Sequence, residues 1–119
     1  MIELVAREGN AVHFRLSGKI SDEDYEQVLI PTIAGILDWH SKVNCVMEFS
    51  EEFERYELGA MWEDAKFGIS HKNDFTRVAV VGASKWIQWG VKIGEKMMDG
   101  ELRTFPAGEG EAGWGWVKD

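Results

Sequence analysis

The sequence predicts an α/β fold: an opening β-hairpin, then alternating helices and strands that build a mixed, mostly parallel five-stranded sheet with four helices. Three observations carry this. Two runs of alternating apolar and polar residues flank Gly9-Asn10, the pattern of an antiparallel hairpin. Downstream, the apolar period switches repeatedly between helical spacing and short apolar runs, which sets helices between buried strands and makes most of the sheet parallel. The chain has 119 residues, 45% of them hydrophobic, enough for one core and too few for two full-sized domains. The expected organisation is one domain over residues 1–119.

In the hairpin, Ile2, Leu4 and Ala6 alternate with polar neighbours, as do Val12, Phe14 and Leu16 against His13, Arg15 and Ser17. Ser21 stands where an N-cap belongs, and Asp22, Glu23 and Asp24 fill the first turn, where the helix dipole favours acids. Tyr25, Val28, Leu29, Ile33, Ile36 and Leu37 follow at helical spacing, so a helix over 22–39 is predicted, kinked by Pro31. Val43 to Phe49 is short, apolar and β-prone. Leu58, Met61, Trp62, Ala65 and Ile69 form the apolar face of a second helix. Arg77 to Val81, closed by Gly82, reads as a central strand buried on both faces. Ser84 caps a third helix ending near Gly100. Leu102 to Phe105 is a last short strand, and Glu111 to Val117 a weak final helix, because Gly113 and Gly115 each cost it about 1 kcal/mol relative to alanine.

Composition excludes several function classes. The formal net charge is −8, opposite to the concentrated basic face that nucleic-acid binding needs. The single cysteine, Cys45, excludes an intrachain disulfide and a multi-cysteine metal centre. The opening residues lack the basic-then-apolar order of a signal peptide, and no apolar run reaches the ~18–20 residues of a membrane span. A cytoplasmic protein is expected.

Several stretches carry a resemblance. Gly18 to Tyr25, Pro31 within the first helix, Gly59-Ala60-Met61-Trp62-Glu63-Asp64, Phe75 to Gly82 with Lys85-Trp86, Arg103-Thr104-Phe105, and Glu111-Ala112 with Trp116 together resemble the SpoIIAA-like family across nearly the whole chain. The resemblance implies a STAS-like fold, similar also to the lipid-binding CRAL-TRIO domain. It further implies a nonpolar ligand or a membrane-surface role, with mobile helices on one side of the sheet. STAS phospho-switches carry Asp-Ser-Ser-Gly or Asp-Ser-Thr-Gly before the helix that follows the third strand. Here that stretch reads Tyr56-Glu57-Leu58-Gly59. With Gly59 as the matching glycine, Glu57 takes the place of the phosphorylated serine, and a carboxylate cannot accept phosphate.

The third helix holds the main binding candidates. Trp86, Trp89, Gly90, Ile93 and Met97 form one stripe, with Ile87, Val91, Gly94 and Met98 beside it. This apolar arc covers roughly half the circumference, more than the ~100° needed to cover a sheet. Two readings stand. Both strips are core, or the helix over 84–98 also meets an apolar ligand or a membrane surface, with Lys85, Lys92 and Lys96 on its polar side. Met61, Trp62, Trp86, Trp89, Ile93 and Met97 are the candidate ligand-binding residues, since methionines beside rigid aromatics suit a greasy pocket. Glu57, Leu58 and Gly59 are the counterpart of the switch loop.

Glu48, Glu51, Glu52, Glu54 and Glu57 read as an acidic, partner-facing loop after the third strand, with spacing that fits no calcium or magnesium loop. Cys45 lies mid-strand, where a buried inert thiol is expected, and His13 points away from the core face. His40 and His71 lie near helix ends. No catalytic residues, metal or cofactor are assigned. The predicted function is non-enzymatic: a domain binding a nonpolar, lipid-like molecule or docking reversibly on the inner membrane surface. The alternative is a STAS-like protein-interaction module without the serine. A second copy of the chain is also among the candidate partners, and nucleic acid is not.

Overall fold

Alternation and turn chemistry build the sheet from its N-terminal edge. A computed structural model describes the backbone of all 119 residues and every side chain except those of Lys85, Trp86, Trp89, Ile93 and Met97. Strand β1 (Ile2–Glu8) pairs antiparallel with β2 (Ala11–Ile20), and Gly9 supplies the turn with φ of 58°, which glycine adopts without steric cost. The expected alternation of β1 fails after Ile2. Leu4, still in register with Phe14, is exposed on this edge strand, and the register then shifts between Leu4 and Ala6, a bulge of the kind common on edge strands.

The first helix, α1, spans residues 22–37. Ser21 Oγ accepts from the Asp24 N–H, while Asp24 Oδ2 accepts from the Ser21 N–H at 2.8 Å, a complete capping box. Residues Tyr25–Leu29 form a π turn, in which the Ile30 N–H donates to the Tyr25 carbonyl five residues back. The following residue is Pro31, which has no N–H to give. The wide turn thus takes up the strain expected there as a kink.

Strand β3 runs Val43–Tyr56, twice the length expected. Its first half lies between parallel β2 and β4 (Phe75–Val81); the β4 pairing ends at Glu48 and Val81. Beyond that point only β2 accompanies it, through Gly18 with Phe53 and Ile20 with Tyr56. Of the glutamates read as a loop, Glu51, Glu52 and Glu54 therefore lie on a strand extension, Glu48 lies in the paired half, and Glu57 follows the strand. Helix α2 (Leu58–Ser70), helix α3 (Lys85–Met97), strand β5 (Glu101–Phe105) and helix α4 (Gly110–Lys118) complete the chain. Ser84 Oγ caps α3 by accepting from the Ile87 N–H.

The sheet order is β1-β2-β3-β4-β5. With each crossover joining neighbouring strands in the same sense, the usual right-handed connection sends every crossover helix to one face. Accordingly Tyr25, Leu29, Ile33, Ile36 and Ala60 share a core with Phe14, Leu16, Cys45 and Val80. On the other face α4 sets Val117 against Ala11, Val46, Ala79 and Val81. Gly113 is what allows this, since a Cβ there would approach Val81 Cγ2 to 3.0 Å. The glycine that weakens the helix as an isolated segment is the one that seats it on the sheet.

Candidate functional site: an apolar trough under two helices

Helix α2 buries only Ala60 completely. Its expected apolar stripe is split: Leu58, 85% exposed, and Trp62, 66%, face outward, while Met61, Ala65 and Ile69 lie along the rim of an open trough. The inward positions are Ala60, Asp64 and Phe67, spaced four and three residues apart. Because α2 does not press its largest side chains onto the sheet, a trough remains between α2, α3 and the strands. One lobe, about 390 Å³, is floored by Cys45, Met47, Phe75, Val78 and Leu102 and walled by Phe67, Gly68, Gly90, Gly94 and Met98. A second lobe, about 420 Å³, lies over Phe49, Val80 and Tyr56, beside Met61, Ile87 and Val91. Met47, Asp64, Val78 and Gly90 border both lobes, making the trough continuous. Among the described residues, Asp64 and Lys72 are the only charged groups along its walls.

Asp64 stands at the junction of the lobes. The Tyr25 hydroxyl donates to its Oδ1 at 2.6 Å, and the Tyr25 and Tyr56 hydroxyls lie 3.3 Å apart. Asp64 as a residue is exposed, because it borders the open trough. Desolvation by the protein atoms around its carboxyl pushes its pKa up, and the hydrogen bond from Tyr25 pulls the other way. Burial, reinforced by the Asp64 charge, also pushes both tyrosines well above their ordinary range. The Cys45 thiol is raised by burial alone, so it stays protonated and unreactive.

The opposite face carries a smaller polar cluster. His13 does point away from the main core, but into the second one, where it is 6% exposed. Its Nε2 lies 2.7 Å from Glu48 Oε1, with Arg15 Nη2 at 3.6 Å from the same oxygen. The Trp114 ring packs 5.8 Å away. Gly110 permits this arrangement, since a Cβ there would come within 2.7 Å of Glu48 Oε1. Glu48 thus leaves the acidic group and serves the packing of α4. His71 Nδ1 lies 2.8 Å from Asp74 Oδ2 at the end of α2.

The predicted ligand residues divide accordingly. Met61 borders the second lobe. Trp62 borders neither and points to solvent, because it lies on the outward side of α2. The side chains of Trp86, Trp89, Ile93 and Met97 lie outside the described residues. From α3, the described lining comes from Ile87, Gly90, Val91, Gly94 and Met98. Sequence reasoning missed Asp64, Tyr25 and Tyr56. The available signal was the Ala60, Asp64, Phe67 spacing, which competes with the bulkier stripe of Leu58, Trp62 and Ile69.

Residues 11–118 match the SpoIIAA-like family model. The chain belongs to the SpoIIAA-like family. The structure is similar to an uncharacterised DUF3478-family protein with a SpoIIAA-like fold from Shewanella loihica PV-4. The TM-score is 0.74 at 23% identity, covering 98% of this chain and 92% of that one, a likeness that shows the fold. No curated protein matches the chain. The fold is that of a STAS-like α/β module, and no helix among the described residues is long and apolar enough to cross a membrane.

In this SpoIIAA-like chain the switch-loop counterpart joins two helix starts. The Glu57 N–H donates to the Ile20 carbonyl at 2.8 Å, and Glu57 opens α2 without a side-chain capping bond. Gly59 lets the first turns of α1 and α2 meet, since a Cβ would stand 3.2 Å from Asp22 Cγ. Ser50, the nearest hydroxyl upstream, lies on β3, and its Oγ accepts from the Glu52 N–H. Incubation with a serine kinase that acts on STAS switches is expected to leave residues 50–59 without phosphate by mass spectrometry. Stoichiometric phosphate on Ser50 would refute this.

Proposed function

We propose that this SpoIIAA-like protein acts as one non-enzymatic domain that binds a nonpolar, lipid-like molecule in the trough beneath α2 and α3. The observation that supports this reading is the two-lobed space itself, walled by apolar side chains and by Gly68, Gly90 and Gly94, where each helix withdraws its bulk. A trough of this size and lining suits a small apolar ligand. The amphipathic pattern of residues 84–98 fits reversible contact with a membrane surface, from which such a ligand would enter. A protein partner is the second reading, favoured by the exposed Leu58, Trp62 and Ile69 along α2.

Titration with the neutral fluorophore N-phenyl-1-naphthylamine is expected to give saturable enhancement at one site per chain. Solvent extraction of the purified protein should release an apolar molecule identifiable by mass spectrometry. Linear, unsaturable fluorescence together with an empty extract would place the protein-partner reading first.

A further inference from the structure

Among the described residues, the charged groups along the trough are Lys72 at its end and Asp64 where its lobes join. Asp64 Oδ1 receives the Tyr25 hydroxyl at 2.6 Å, while Oδ2 takes no hydrogen bond from any described residue. Building upon the nonpolar-ligand reading, we propose that Asp64 recognises the head of the ligand, and that this head is a neutral hydroxyl at the end of a single alkyl chain, as in a long-chain alcohol. A hydroxyl can donate to Oδ2 while its chain fills one lobe, and burying this donor–acceptor pair leaves neither partner unsatisfied.

Competing heads fit less well. A fatty-acid carboxylate would face Asp64 with like charge, within a chain whose formal net charge is −8. Lys72, the only cation along the trough among the described residues, lies at its exposed end beyond α2, where water already solvates it. An alkylammonium would need a full charge desolvated inside apolar walls. A plain hydrocarbon would displace water from Oδ2 and offer no donor in its place. Tyr25 keeps Asp64 in place: it is completely buried in the π turn of α1 and fixes the orientation of the carboxyl.

The test displaces N-phenyl-1-naphthylamine with three probes of equal chain length: 1-dodecanol, dodecyl methyl ether and sodium dodecanoate. Dodecanol is expected to compete about tenfold better than the ether, the usual effect of one hydrogen bond to a charged group, and better than dodecanoate. Asp64→Leu should bring dodecanol down to the ether's level and leave the ether unchanged. Asp64→Asn, which can still accept from Tyr25, covers the case in which the leucine variant fails to fold. It should cut the preference for dodecanol several-fold. Equal competition by dodecanol and the ether would overturn the proposal while leaving the nonpolar-ligand reading intact. So would tightest binding of dodecanoate, lost in Lys72→Met. If the fluorophore itself does not bind saturably, the nonpolar-ligand reading fails first.

Discussion

Val80→Asp is expected to abolish the cooperative thermal transition. Val80 sits in β4 between Met47 of β3 and Thr104 of β5, and its side chain enters the core beneath α1, α2 and α3. No cation lies among the described residues packed around it, so an aspartate there is a desolvated, unpaired charge. Such burial costs several kcal/mol, comparable with the ~5–15 kcal/mol that holds a small domain together. Thr76→Asp, at the exposed start of the same strand, adds an equal charge where water can reach it and should shift the midpoint only slightly. Circular dichroism melts of the two variants make the comparison. A Val80→Asp protein melting within a few degrees of the parent would mean that β4 is not an interior strand with Val80 in the core.

The second large effect moves stability and binding in opposite directions. Gly90 borders both lobes, and a Cβ built there meets no described atom within 4 Å. Gly90→Leu removes a flexible residue from the interior of α3, worth up to about 1 kcal/mol of helix propensity. The new side chain occupies the space in which a ligand would lie. The melting midpoint should therefore rise by a few degrees, while N-phenyl-1-naphthylamine binding weakens at least tenfold. Ordinary cavity mutants lose stability and gain space; this one should do the reverse. Unchanged probe affinity in a stabilised Gly90→Leu protein would remove the trough as the binding site.

The fold was legible in the sequence because its strongest signals are local. Ser21 and Asp24 specify a helix start on their own, Gly9 a hairpin, and Val78 to Val81 a strand covered on both sides. The second half of β3 was not legible for a matching reason. From Ser50 to Arg55 it pairs only with β2 and carries solvated glutamates, so neither burial nor propensity marks it as a strand. The trough was harder still. Size and hydrophobicity nominated Trp62, but which side of a helix faces the sheet depends on the tertiary fit of its neighbours, and in α2 the small Ala60 and polar Asp64 won that position. His13 shows the same limit. Its alternation was read correctly, yet the second core it enters depends on how closely α4 packs on the sheet, an approach that Gly110 and Gly113 ease.

The agreement between strand order in the sheet and strand order in the chain has a consequence during synthesis. Each strand leaving the ribosome finds its partner already made, so the sheet can grow by addition at one edge without waiting for a distant segment. The cover on its second face does not arrive in step. Ala11 and Val46 are made early, but Val117, which shields them, comes more than seventy residues later. At about 5–20 residues per second the interval lasts several seconds. Through that time one side of the nascent sheet shows an apolar strip to water, and helper proteins that grip apolar surface have their opening there.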